Sequence, residues 1–169
     1  MAKLRTAIFP GSFDPLTLGH VDLVERALEI FDLIVIAILE HQGKHTLFSP
    51  EERVKIIEEV FKGKRERVKI ERFSGLLVDF AKVHDCEVLL RGLRAISDFD
   101  YEAQMALMNR KLSERTETLF MMAREPYSYV SSTLVKQVAH AGGSITALVP
   151  PTVAQAVKDK MEQENGKRK

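Results

Sequence analysis

The sequence predicts an α/β protein: a doubly wound, five-stranded parallel sheet with helices on both faces and a further helix at the C-terminal end. Three observations carry that prediction. Short β-branched apolar runs alternate with amphipathic stretches along the chain, the sign of consecutive βαβ units. The run DLIVIAIL (residues 32–39) is almost wholly apolar, as a strand covered on both faces must be. The residues with chemistry cluster just after the strands, where sheets of this class bind ligands.

The elements follow in order. RTAIFP (residues 5–10) is a short strand that ends in turn residues, and residues 17–31 repeat Val21, Leu23, Val24, Ala27, Leu28 and Phe31 at helical spacing. After the strand at 32–39, Ser49-Pro50-Glu51-Glu52 signals a helix start. Ser49 can cap, Pro50 suits the first helical position, and Glu52 completes a capping box. That helix is expected to reach Lys62, before Gly63. Strands at 67–73, 87–92 and 117–122 then alternate with helices at 76–84, 98–112 and 131–141, the last closed by Gly142-Gly143. Pro150-Pro151 breaks the chain before a helix over 152–161, and EQENGKRK (residues 162–169) reads as a polar tail. Nothing in the chain resembles a repeat or a linker, so residues 1–169 are expected to form one domain.

Composition narrows the function. Hydrophobic residues make up 45% and charged residues 29%, ordinary for a soluble globular chain. With 25 basic against 24 acidic side chains, no overall field attracts DNA or RNA. The longest apolar runs are too short to cross a bilayer, and TAIF near the start is too brief for a signal-peptide core. The single cysteine, Cys86 in HDCEVLL, cannot form an internal disulfide and reads as a small core residue. A cytoplasmic protein is expected.

Five loops would converge on one sheet edge: PGSFDPLTLGH, EHQGKHTLF, SGLL, RGLRAISDFDYE and AREPYSYVSSTLVK. Gly11 and Ser12 allow close backbone approach and offer a hydroxyl. Gly19-His20 stands where the first helix opens, so free N–H groups and the positive end of the dipole face the crevice. Lys44, Arg91 and Arg94 are cations on neighbouring loops, and Ser131-Ser132-Thr133 opens another helix. That set suits a polyphosphate. Neither G-x-x-x-x-G-K-[ST] nor G-x-G-x-x-G occurs, which disfavours a P-loop ATPase or a nicotinamide dehydrogenase. The serine-hydrolase elbow is missing. His41 and His45 lack a matching carboxylate motif for zinc, and no metal ligands are assigned. Asp14 and Asp22 read as a turn residue and an early helix residue, and Tyr101, Met105 and Met108 as packing residues.

GSFDPLTLGH (residues 11–20) resembles the G-[ST]-F-D-P-x-T-x-G-H segment of the nucleotidyltransferase superfamily, and VSSTLVK resembles its I-S-S-[ST]-x-x-[KR] segment. Between them, LLRGLRAISDFDYEAQMALMNR (residues 89–110) resembles the corresponding segment of the bacterial phosphopantetheine adenylyltransferase family. The likeness runs from about Thr6 to Pro150. It implies a Rossmann-like nucleotidyltransferase fold and adenylyl transfer from ATP to 4′-phosphopantetheine, giving dephospho-coenzyme A and pyrophosphate. It also implies Mg²⁺ with the ATP and a homohexamer.

By the same resemblance His20, Lys44 and Ser12 are the catalytic residues. ATP would be held by Ser12, Phe13, His20, Gly92, Leu93, Arg94 and Glu102, and by Tyr127, Ser128, Tyr129, Val130, Ser131, Ser132 and Thr133. The acceptor would be held by Ser12, Lys44, Leu77 and Arg91. The loop EHQGKHTLF carries one Lys where the family's loop is Lys-rich. Arg91 could alternatively pair with Asp98. Two other functions fit parts of the sequence: an adenylyl- or cytidylyltransferase for another acceptor such as nicotinamide mononucleotide, and a non-catalytic nucleotide-sensing module. PLTLGH has Thr where the first of these usually carries a second His, and a sensor has no need to keep both His20 and Arg91.

Overall fold

The computed structural model describes residues 4–40, 46–94 and 96–167, without the side chains of 96, 97 and 164–167. Strands β1 (Thr6–Gly11), β2 (Leu33–Leu39), β3 (Val68–Phe73), β4 (Val88–Leu93) and β5 (Glu117–Met122) form one parallel sheet in the order β3-β2-β1-β4-β5. Helices α1 (Leu18–Ala27), α2 (Pro50–Val60), α3 (Leu77–Val83), α4 (Ile96–Leu112), α5 (Ser132–His140) and α6 (Pro151–Lys167) connect and cover it.

The order has a physical consequence. The chain steps outward from β1 to β3, then returns across the sheet to β4 and steps outward again. Right-handed crossovers put helices from opposite steps on opposite faces. The side chains agree. Ala7, Phe9, Ile34, Ile36 and Ile38 pack with Val24 of α1, Ile57 of α2, Val135 of α5 and Val153 of α6. Ile8, Val35, Ala37 and Leu89 point the other way, toward Ala81 of α3 and Cys86. Alternate residues of the same strand thus enter two cores, which is why DLIVIAIL contains no polar residue after its first. Cys86 takes the core position expected of it, its Sγ donating to Thr6 O at 3.3 Å.

The reversal of direction falls between β1 and β4, and a crevice opens there at their carboxyl ends. The start of α2 is built locally. Ser49 caps α2 by accepting from Glu52 N, while the Glu52 side chain accepts from Ser49 N at 2.7 Å. The capping box read from the sequence therefore forms.

Four boundaries differ from expectation by two residues or more. α2 ends at Val60 rather than Lys62, and Lys62–Lys64 form a separate 3₁₀ turn. α1 ends at Ala27, and Ile30 and Phe31 fold into turns that return their N–H groups to Ala27 O. This turn carries the Phe31 ring into the core. α4 starts at Ile96, two residues early. α6 runs to Lys167 rather than stopping near 161. Met161 still packs against the core, and the Glu-Gln-Glu that follows consists of good helix formers, so residues 162–167 are helical, not a separate tail.

Candidate active site

A cavity of about 510 Å³ occupies the crevice. Three separate pieces of chain meet there: the exit of β1, the exit of β4, and the start of α5. Gly11 is needed at the first, because a Cβ would stand 2.9 Å from the tip of the Phe13 ring. Phe13 itself has φ 47°, a left-handed conformation that non-glycine residues adopt at a cost. Its buried ring lies edge-on to His20, with centroids 5.1 Å apart, and to Phe9 at 5.4 Å.

His20 is the third residue of α1 and belongs to its cap. Thr17 Oγ1 accepts from His20 N at 3.3 Å, and His20 Nδ1 accepts from Thr17 N at 3.0 Å. With Nδ1 committed as acceptor, the neutral ring carries its proton on Nε2. Burial is the main reason that the His20 pKa is lowered to about 4, with Arg94 and then Arg91 adding repulsion. The cavity therefore holds a neutral imidazole that offers one N–H.

Arg91 does not pair with Asp98. Its Nε and Nη2 donate to the two oxygens of Glu102 at 2.7 and 2.6 Å, and Nη1 donates to Pro10 O at 2.8 Å. Asp98 pairs instead with Arg94, at 3.1 Å from Nε. On the opposite wall, Ser131 caps α5 by accepting from Leu134 N, and Ser132 Oγ donates to Pro15 O at 2.7 Å. Two helix N-termini, α1 and α5, thus open on the same cavity beside two arginines, an arrangement made for anions.

A second cavity of about 390 Å³ adjoins the first, on the α3 and α4 side. Leu76, Leu77, Met105 and Leu112 give it an apolar wall. Ser12, Arg91, Tyr101 and Glu102 line both cavities, so the two meet at the Arg91–Glu102 pair.

Residues 8–138 match the family of cytidylyltransferase-like proteins. The phosphopantetheine adenylyltransferase of Thermotoga neapolitana is 52% identical over 162 residues, covering 96% of this chain and 99% of that protein. That of Geotalea daltonii is 48% identical over 160 residues, covering 95% and 99%. The chain belongs to the phosphopantetheine adenylyltransferase family. It is an adenylyltransferase of coenzyme A synthesis. A crystal structure from Vibrio parahaemolyticus, proposed to be a nicotinate-nucleotide adenylyltransferase, shares the fold: TM-score 0.63, 20% identity, 94% of this chain and 92% of that one.

The residues expected of a phosphopantetheine adenylyltransferase mostly converge. Ser12, Phe13, His20, Arg91, Gly92, Arg94, Glu102, Tyr127, Val130, Ser131, Ser132 and Thr133 line the first cavity, and Leu77 the second. Leu93, Ser128 and Tyr129 do not line either cavity. Leu93 is buried in the core, Ser128 Oγ donates to Glu125 O, and Tyr129 is exposed. Lys44, like His41 and His45, lies outside the described residues. Among the described residues no group of three or more His, Cys, Asp or Glu is gathered to hold a metal ion, and no helix is long and apolar enough to cross a membrane.

Sequence reasoning missed three charged residues behind the cavity. Asp14 is no ordinary turn residue: it is buried and accepts from Leu47 N at 3.0 Å, Phe48 N at 2.9 Å and Lys136 Nζ at 2.8 Å. Arg53 is equally buried and donates to Ser12 O. Asp22 is buried as well, between Arg26 and Arg124 at 3.1 and 3.3 Å. The one available signal was the Lys of VSSTLVK, a motif position with no role until Asp14 is found beside it.

Proposed function

We propose that the first cavity takes ATP, with its polyphosphate against Ser12, His20 and the start of α5, and that the apolar second cavity takes the pantetheine arm of 4′-phosphopantetheine. The single observation that supports this reading is the shared wall: Ser12 and Arg91 line both cavities, so two phosphates can meet there.

A phosphate oxygen of 4′-phosphopantetheine attacks the α-phosphorus of ATP, and the bond from that phosphorus to the bridging β-phosphate oxygen breaks. The products are dephospho-coenzyme A and pyrophosphate. A phosphate monoester is mostly dianionic at neutral pH, so the nucleophile needs no base. The protein's work is orientation and neutralisation of charge. His20 donates from Nε2 to the charge that builds on the triphosphate, and its lowered pKa keeps it neutral at pH 7. Arg91, held flat by Glu102, orients the acceptor phosphate. Leu77 contacts the pantetheine arm, and the charge of Lys44 neutralises the reacting phosphates. Gly92, Arg94 and Glu102, with the Tyr127 and Val130 to Thr133 wall, enclose the nucleotide.

Magnesium fits this cavity as an ion carried on the triphosphate. Both nearby carboxylates, Glu102 and Asp98, are engaged by arginines, and Mg²⁺ commonly binds mainly through substrate phosphates. Bound there, it would neutralise charge on the departing pyrophosphate.

The chain is further proposed to assemble as a homohexamer in the cytoplasm. Phe99, Leu107 and Met108 of α4 and Leu119 and Met122 of β5 are all exposed, an apolar surface of the kind that subunit contacts cover.

The test is pyrophosphate release from ATP against a panel of phosphate acceptors. Turnover with 4′-phosphopantetheine is expected, and turnover with nicotinamide mononucleotide alone would assign the second cavity to another acceptor.

A further inference from the structure

Arg53 belongs to no motif and has no part in the proposed reaction, yet it is only 2% exposed. Its ionised form is costly at such a site, and among the described residues it makes no ion pair with a carboxylate. What it does make is a 2.6 Å hydrogen bond from Nη1 to Ser12 O, with longer contacts to Ser49 O at 3.4 Å and Leu39 O at 3.5 Å. A buried guanidinium on α2 is therefore spent on three carbonyls, the nearest of which belongs to Ser12, a residue of the cavity wall.

The Ser12–Phe13 peptide is trans; among the described residues the cis bond is Asp14–Pro15. In a trans peptide the C=O and the following N–H point in opposite directions. With Ser12 O drawn back toward Arg53, the Phe13 N–H faces away from α2. Ser12 and Phe13 both line the first cavity, and among the described residues no backbone carbonyl outside the regular elements accepts from Phe13 N. Phe13 also has φ 47°, and a non-glycine residue persists in that conformation only where its surroundings dictate it.

We propose that Arg53 is a positioning residue: through the Ser12 carbonyl it holds the Ser12–Phe13 peptide so that the Phe13 N–H is presented to a phosphate oxygen of bound ATP. The inference rests on the assignment of the first cavity to ATP. It makes a prediction that a general structural role does not, because only ligands bearing phosphate would sense the peptide's orientation.

The experiment compares ATP with adenosine, by calorimetric titration, in the wild-type chain, Arg53→Gln and Arg53→Lys. A hydrogen bond to a charged group is lost in Arg53→Gln, so ATP binding should weaken about tenfold or more, while adenosine binding changes less than about twofold. Arg53→Lys, which keeps a cation and a donor, should fall between. Equal weakening of both ligands, or unchanged ATP binding, overturns the proposal. If Arg53→Gln does not fold, amide NMR decides. The Phe13 proton should move downfield with ATP but not with adenosine, and less so in Arg53→Lys; no movement in the wild type, or an equal one in Arg53→Lys, overturns it. His20→Ala separates the two readings. If that variant turns over normally, the assignment of the cavity fails. If it is inactive while Arg53→Gln binds ATP normally, only the role of Arg53 fails.

Discussion

His20 Nδ1 accepts the Thr17 backbone N–H at 3.0 Å, while the Thr17 hydroxyl accepts the backbone N–H of His20 at 3.3 Å. This is a helix capping box with histidine in the place that Glu or Gln usually fills. One pair of residues therefore starts α1, selects the ring tautomer and turns the remaining N–H to the cavity. The Thr and the His of TLGH serve the fold and the proposed chemistry through the same two hydrogen bonds.

His20→Ala should lower kcat by at least about a hundredfold while ATP still binds, because the lost donor acts mainly in the transition state. Loss of the acceptor for the Thr17 N–H, one half of the capping box, should also cost about 1 kcal/mol of stability. Steady-state kinetics beside a thermal melt separates the two effects, and near-normal turnover would sink the assigned role.

The half-buried His20 also makes stability depend on pH. Its pKa falls from 6.5 unfolded to about 4 folded, so between those values the unfolded chain binds more protons. Stability then rises with pH across about 4 to 6.5 and is lost on acidification through that window. His20→Gln, which keeps a capping acceptor, should flatten this slope in urea unfolding followed at several pH values. Identical slopes in the two proteins would exclude His20 as its source.

Arg91 and Glu102 are expected to act together. Arg91→Gln should raise KM for 4′-phosphopantetheine about tenfold or more. Glu102→Gln leaves the arginine in place but unclamped, and should lower kcat/KM for both substrates because the pair borders both cavities. An unchanged acceptor KM in Arg91→Gln would contradict the placement of the acceptor phosphate.

Asp14→Asn should destabilise the fold by about 2 kcal/mol. The new amide group faces a backbone N–H at Leu47 or Phe48, and Lys136 loses its anionic partner. Urea unfolding measures this, and a change under about 0.5 kcal/mol would fit a simple surface turn.

Local pattern was enough for the strands and helices, because apolar period and caps act over a few residues. Ser49 and Glu52 announced α2, and all five strands lie within a residue of where their apolar runs put them. The loops that line the crevice were legible for the same reason, since each follows its strand directly. Helix ends were less so: α1 stops where Phe31 must turn into the core, and that depends on β1 and β2.

What the sequence by itself determined is the class of fold, the edge at which ligands bind and the family's motif residues, all carried by neighbours in the chain. Only the tertiary structure decided the partners of the charges. Arg91 chose Glu102 over Asp98, Asp14 reached Lys136 across 122 residues, and Arg53 took the carbonyl of Ser12. A charge buried on folding must find a partner wherever packing delivers one: the return of the chain from β3 to β4 sets Arg91 and Glu102 against the exit of β1, and that same exit meets Arg53 of α2 and Lys136 of α5.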